Sequence, residues 1–255
     1  MKINFKYVIG IVIMLCILVF IYFKFIKKDN VTVQKPTEND NDSSAKTLIE
    51  KIPYRKYDLS IENSEKFNSN KLQLFILDDF LSKNECDMLI KIIKLDLRPS
   101  LTTTGKTDHR TSETSDLTAP KHQEFVEYIE LKISQMIQIP IEYSERTQGQ
   151  SYQIGQEFKE HTDWFNPKFQ EYKDNCLVQG NRTWTVMIYL NDVEEGGDTH
   201  FKSLEHTFKP KMGQVIIWNN LLEDGSINLE TTHSGLPVKK GEKNIITKWF
   251  REYSI

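Results

Sequence analysis

Apolar and polar residues follow three patterns along the chain. Tyr7 to Phe23 runs without a charge or strong polar group, through Val8, Ile9, Ile11, Ile13, Leu15 and Phe20. About 17 residues is the short end of a membrane span, and the neighbouring Tyr22, Phe23 and Phe25 suit an interface with Lys24, Lys27 and Lys28 reaching outward. The run is longer than a usual signal-peptide core, and no small-x-small cleavage site precedes Lys24, so an uncleaved anchor is favoured. Residues 1–28 are therefore expected to be an N-terminal transmembrane helix, with lysines on both flanks leaving its orientation open. Residues 29–71 are rich in Asn, Asp, Ser, Lys and Glu and bury too little surface to order themselves, which predicts a disordered linker.

From Leu72 the pattern is that of a folded domain, 72–255. Leu72 to Leu77 reads as a strand, and Ser82-Lys-Asn-Glu85 is a capping box opening a helix whose apolar face is Leu89, Ile92 and Ile93. Thr102 to Ala119 is polar and aperiodic and reads as a mobile loop, a candidate lid with Arg110 facing the substrate. Phe125, Val126, Ile129, Ile133, Met136 and Ile137 predict a second helix, ended before Pro140. Beyond Tyr143 come short strands separated by Gly and Asp turns: Ser151 to Ile154, Lys159 to Trp164, Thr183 to Leu190, Thr199 to Phe201, Gln214 to Trp218 and Asn244 to Arg251. That series predicts an α+β, mainly β domain, a sandwich or jelly roll backed by helices.

Composition narrows the partners. The chain has 255 residues and a formal charge of −3, with lysines interleaved among acids, so no nucleic-acid footprint is present. Cys16 lies in the apolar run, leaving Cys86 and Cys176 as the single pair available to the domain, which is no disulfide framework. Asn30-Val-Thr32, Asn41-Asp-Ser43 and Asn181-Arg-Thr183 match the glycosylation acceptor pattern and lend weak support to a lumenal domain.

The chemistry gathers in one constellation. On a strand, side chains two apart share a face, so His161 and Asp163 can reach one metal while Thr162 points away. With His233 they make two imidazoles and a carboxylate, a set that leaves positions on iron(II) open for a cosubstrate and O2. Zinc suits the same donors. Lys243 adds an ammonium able to anchor the far carboxylate of a dicarboxylic cosubstrate, a reason for its presence that zinc hydrolysis would not supply.

Three segments surround these residues: Tyr152-Gln-Ile-Gly-Gln-Glu-Phe-Lys-Glu-His161-Thr-Asp163, Tyr189 through Gly196-Gly-Asp-Thr199-His-Phe201, and Asp224-Gly through His233-Ser-Gly-Leu-Pro-Val to Lys243, Lys248 and Trp249. Together they resemble the prolyl 4-hydroxylase catalytic domain, and Phe75 to Asp87 and Arg110-Thr-Ser112 resemble its amino-terminal half. The resemblance implies a double-stranded β-helix with iron(II) on His161, Asp163 and His233, and 2-oxoglutarate paired with Lys243. It also places Tyr189, Thr199, Tyr152 and Trp249 about the cosubstrate pocket, where core packing is the alternative role. Lysine at 243, where related lysyl hydroxylases and oxygen-sensing enzymes carry arginine, favours the collagen-type branch. Phe158 replaces a common tyrosine, Ser151 a common basic residue, and Leu236 a frequent cysteine.

The activity so implied is hydroxylation of peptidyl proline at C4, consuming O2 and 2-oxoglutarate and releasing succinate and CO2, with L-ascorbate rescuing uncoupled turnovers. The implied substrate is a proline-containing peptide or collagen-like protein, met by a single-pass membrane protein whose catalytic domain is lumenal, as in the endoplasmic reticulum. Two alternatives remain open at this stage: hydroxylation of another residue or a small molecule at the same iron, and a non-catalytic module that grips proline-rich peptides.

Overall fold

The computed structural model of the protein describes residues 53–69, 72–101 and 109–254. The expected anchor over 1–28 lies outside them. Among the described residues no helix is long and apolar enough to cross a membrane; the longest, Gln123–Ile137, has 15 residues and one polar face, against the roughly 20 apolar residues a span requires. The membrane-anchored, single-pass, lumenal form, with its membrane partner and membrane location, is corrected on that finding.

Strand β1, Glu65–Asn68, falls in the stretch expected as linker and pairs antiparallel with β2, Gln73–Leu77. Helix α1, Lys83–Ile93, opens where its capping box predicts: the Ser82 hydroxyl accepts from the Glu85 amide, and the Glu85 carboxylate accepts from the Ser82 amide at 2.7 Å. Cys86, Leu89, Ile92 and Ile93 form its buried stripe. Two short strands follow, β3 at Arg98–Pro99 and β4 at Glu113–Ser115. Strand β4 lies inside the expected loop, where it pairs with β5, Gln148–Tyr152; residues 102–108 of that loop are outside the described residues. Helix α2, Gln123–Ile137, buries Val126, Ile129, Ile133 and Ile137 and ends at Gln138, whose φ of 54° is left-handed, two residues before Pro140.

The remaining elements are β6 (Phe158–His161), α3 (Gln170–Cys176), β7 (Arg182–Tyr189), β8 (Glu195–Gly196), β9 (Thr199–Phe201), β10 (His206–Phe208), β11 (Val215–Asn219), β12 (His233–Gly235), β13 (Val238–Lys240) and β14 (Lys243–Arg251). They build an eight-stranded sheet in the order β1-β2-β11-β7-β14-β5-β4-β3, a four-stranded sheet β10-β9-β12-β6, and a β8-β13 pair. The expected closed double-stranded β-helix is therefore corrected to open sheets in a mixed α+β fold. The reason lies between β5 and β6: the ladder stops at Tyr152, and a turn through Gly155, φ 83°, carries the chain into the other sheet.

Strands β7, β11 and β14 are buried on both faces; β11 reads as a nearly continuous apolar run, whereas β14 buries Lys243, Asn244, Thr247, Lys248 and Arg251 among its apolar residues. Side chains alternate across each strand. Trp184, Val186 and Ile188, Val215 and Ile217, and Ile246 and Phe250 join α1 and α2 in one core. Met187 and Tyr189, Ile216 and Trp218, and Ile245 point the other way and pack with Phe201 and Phe208 of the small sheet. The second face carries the chemistry.

Candidate metal centre and cosubstrate cavity

Antiparallel pairing of β12 with β6 sets His233 directly opposite His161, with ring centroids 4.2 Å apart. Strand β6 ends at His161, so Asp163 stands in the bend beyond it rather than on the strand the sequence predicted. The bend still brings Asp163 Oδ1 to 3.9 Å from His161 Nε2. Donor atoms of His161, Asp163 and His233 all lie within 4.8 Å of one another.

The donor chemistry fits a metal. His161 Nδ1 faces the Lys159 carbonyl at 2.8 Å, and His233 Nδ1 faces the Thr231 carbonyl at 2.8 Å. A carbonyl only accepts, so Nδ1 carries the hydrogen on both rings and each Nε2 keeps its lone pair for a ligand role. Burial, helped by the neighbouring His233, holds the His161 ring well below its ordinary pKa and keeps it neutral. Burial alone would raise the Asp163 carboxyl; His233, His161, Arg182 and the Thr185 hydrogen bond outweigh it and lower its pKa, so it stays ionised. Two imidazoles, each with Nδ1 held by a backbone carbonyl, and one carboxylate are the result.

Beside this set, a narrow cavity runs inward between the sheets to Lys243, lined by Tyr152, Thr199, Gly235, Ile245 and Thr247 on the way. Lys243 opens β14 directly across from Tyr152 of β5 and is 2% exposed. Its ammonium sits 5.2 Å from the Tyr152 ring and 5.5 Å from the Tyr189 ring. Among the described residues no hydrogen bond or ion pair engages it. Burial depresses its pKa to about 7, against the partial support of the Asp198 charge. An uncompensated buried cation at the end of a cavity suits an anionic guest, because rings alone recover only part of the lost hydration.

Of the sequence-predicted residues, His161, Asp163, His233, Lys243, Tyr152, Thr199 and Trp249 all line this cavity. Tyr189 stands behind it, its hydroxyl donating to Thr199 Oγ1 at 2.7 Å and its own pKa pushed up by burial. Phe158, which lacks the tyrosine hydroxyl, stacks on His161 at 3.4 Å between centroids and supports the ring from its face. Outside, an open cleft of about 660 Å³ leads to the metal set and is walled by Trp164, Phe165, Phe169, Trp249, Arg110 and Arg182. Arg110 borders both spaces, its guanidinium 5.0 Å from the Phe158 ring.

Sequence reasoning missed Arg182, Thr185 and Asn220. Arg182 donates to Glu145 at 2.6 Å, covers Trp249 at 3.9 Å, and reaches the Asp163 carbonyl. Thr185 shares a strand face with Met187 and Tyr189, so the alternation of β7 carried a signal for it; Asn220 follows a strand end and carried none.

The donor set and the buried lysine define a class, the iron(II)- and 2-oxoglutarate-dependent oxygenases. A family model for the 2OG-Fe(II) oxygenase superfamily matches residues 147–251. The chain is 32% identical over 206 residues to probable prolyl 4-hydroxylase 10 of Arabidopsis thaliana, covering 71% of this chain and 70% of the plant protein. Prolyl 4-hydroxylase 5 of the same plant is 32% identical over 199 residues, 69% of this chain and 67% of that protein. Among solved structures, the viral collagen prolyl hydroxylase of Paramecium Bursaria Chlorella virus-1, in its 2OG complex, matches with a TM-score of 0.56 and 32% identity, over 70% of this chain and 95% of that one. The chain belongs to the prolyl 4-hydroxylase family. It is a dioxygenase that uses iron(II) and 2-oxoglutarate.

Proposed function

We propose that the chain hydroxylates proline at C4 within peptides, with His161, Asp163 and His233 holding iron(II) and Lys243 gripping the distal carboxylate of 2-oxoglutarate. The observation that carries this reading is the buried ammonium of Lys243 without a partner among the described residues, at the end of a cavity that opens beside the metal donors. When bound, iron(II) supplies the activation of O2 and the redox chemistry that couples 2-oxoglutarate decarboxylation to hydroxylation. The chain supplies position. Thr199 and the ring of Tyr152 border the space beside the ammonium, and the aromatic walls of the narrow cavity limit water around the cosubstrate.

The outer cleft supports a peptide rather than a small molecule as substrate, because it is open and walled by Trp164, Phe165, Phe169 and Trp249, surfaces suited to proline rings and extended chain. The relatives' names point the same way, two as prolyl 4-hydroxylases and one as a collagen prolyl hydroxylase. L-Ascorbate completes the proposed set as the reductant that restores iron(II) after uncoupled turnovers. The test is a panel of proline-containing and collagen-like peptides incubated with iron(II), 2-oxoglutarate, O2 and ascorbate. Succinate release matched by one oxygen atom on proline C4 is expected; oxidation confined to lysine, or no peptide oxidation, overturns the proposal.

A further inference from the structure

One oxygen of Asp163 is already engaged. Thr185 Oγ1 lies 2.7 Å from Asp163 Oδ2, and Asn220 Nδ2 lies 2.8 Å from Thr185 Oγ1. Direction along this chain follows from the groups. An ionised carboxylate only accepts, and an amide NH2 only donates. The Thr185 hydroxyl has one hydrogen, so with Asn220 donating to its oxygen that hydrogen is committed to Asp163. Both residues are 0% exposed, so water does not replace either bond.

The anchoring at the far end is independent of the metal set. The backbone N–H of Asn220 donates to the Thr183 carbonyl at 2.8 Å, and the backbone carbonyl of Asn220 accepts from the Asn228 backbone N–H at 2.9 Å. Thr185 is fixed in the large sheet, paired with Trp218 on one side and Trp249 on the other. The two histidines belong to the small sheet and Asp163 to a bend, so the relay ties the one donor outside regular structure to the rigid sheet. It also leaves Oδ1, the oxygen nearer His161 Nε2, as the free one.

We infer that Thr185 and Asn220 are positioning residues: the Asn220-to-Thr185-to-Asp163 relay fixes which carboxylate oxygen faces the histidines and thereby sets the metal affinity of the centre. This rests on the reading that His161, Asp163 and His233 are the ligands. Outer hydrogen-bonding partners of metal ligands typically change affinity by about 10- to 100-fold.

The test is cobalt(II) titration of the full chain without cosubstrate, followed by its visible absorption, on the wild type and on Thr185→Ala, Thr185→Ser, Thr185→Val and Asn220→Leu. Thr185→Ala and Thr185→Ser both remove the methyl group, and the alanine variant alone loses the hydroxyl. A roughly 10- to 100-fold weaker affinity in Thr185→Ala and Thr185→Val, near wild-type affinity in Thr185→Ser, and an intermediate loss in Asn220→Leu are expected. Equal affinity in the alanine and serine variants, whether both weak or both strong, overturns the inference; the pair also decides the matter if Thr185→Val does not fold. Asp163→Ala is the control for the underlying reading: if it binds cobalt(II) as the wild type does, the ligand assignment fails, whereas its loss with an unaffected Thr185→Ala defeats the relay alone.

Discussion

Strand β14 carries two buried lysines that face opposite ways and serve opposite ends. Lys248, 1% exposed, points to the helix side, where its ammonium donates to Glu130 at 2.9 Å and to the Glu145 carbonyl at 2.8 Å. Lys243, 2% exposed, points to the cavity side and meets two tyrosine rings without a counter-charge among the described residues. Burial lowers both pKa values, with Glu130 opposing the shift at Lys248 and only the more distant Asp198 opposing it at Lys243. Burial of a charge therefore does not by itself mark a functional residue. What separates the two is whether the fold already supplies the partner, and at Lys243 the partner is left to the cosubstrate.

Substitutions at the metal donors and at the two lysines test that contrast. The largest effect is expected outside both lysines: His161→Ala or His233→Ala should abolish succinate formation, because each removes one of only three donors; undiminished turnover would show the contrast to be irrelevant to catalysis. Lys248→Met should come next. It leaves the half-buried Glu130 without its cation, a change that costs at most about 3–5 kcal/mol, read as a lower denaturant midpoint, while the 2-oxoglutarate requirement of the folded enzyme stays as it was. Lys243→Met should do the reverse. Charge-assisted hydrogen bonds to a bound carboxylate contribute about 1.5–3 kcal/mol, so the requirement for 2-oxoglutarate should rise roughly 10- to 100-fold without loss of stability in the cosubstrate-free protein.

The same lysine also responds to pH. The folded-state pKa of Lys243 is depressed to about 7, below its unfolded value, so between those two values the unfolded chain binds more protons than the folded one. Stability of the cosubstrate-free protein therefore rises with pH across that window, and this rise should flatten in Lys243→Met. Over the same window the affinity for 2-oxoglutarate should fall, since the guest needs the ammonium. Denaturation midpoints and binding constants measured from below pH 7 upward check both signs.

The contrast also shows what the sequence made legible. Helix α1 was readable because its capping box and stripe are local, and helix α2 because its apolar spacing is regular over four turns. The central strands were readable from their apolar residues and flanking turns, with bounds shifted by a residue. Short strands such as β4 and β10 were not, since their residues are mostly polar and backbone pairing with a neighbour decides them. Closure into a β-helix was expected and open sheets were found, because ladder ends depend on turns such as Gln153–Gln156 that no periodicity announces. His161, Asp163, His233 and Lys243 were legible as a set through their surrounding motifs. Lys248, five residues along β14 from Lys243, stands in the same motif, and the difference between the two lies in Glu130, 118 residues away from Lys248 in the chain.

Lys243 awaits an anion and Lys248 does not. The direct measurement is the dissociation constant of 2-oxoglutarate for the wild type, Lys243→Met and Lys248→Met, taken side by side near neutral pH with iron(II) bound and O2 excluded. A loss of roughly 10- to 100-fold confined to Lys243→Met is the predicted result. Equal affinity in the wild type and Lys243→Met, or an equal loss in both variants, would contradict it.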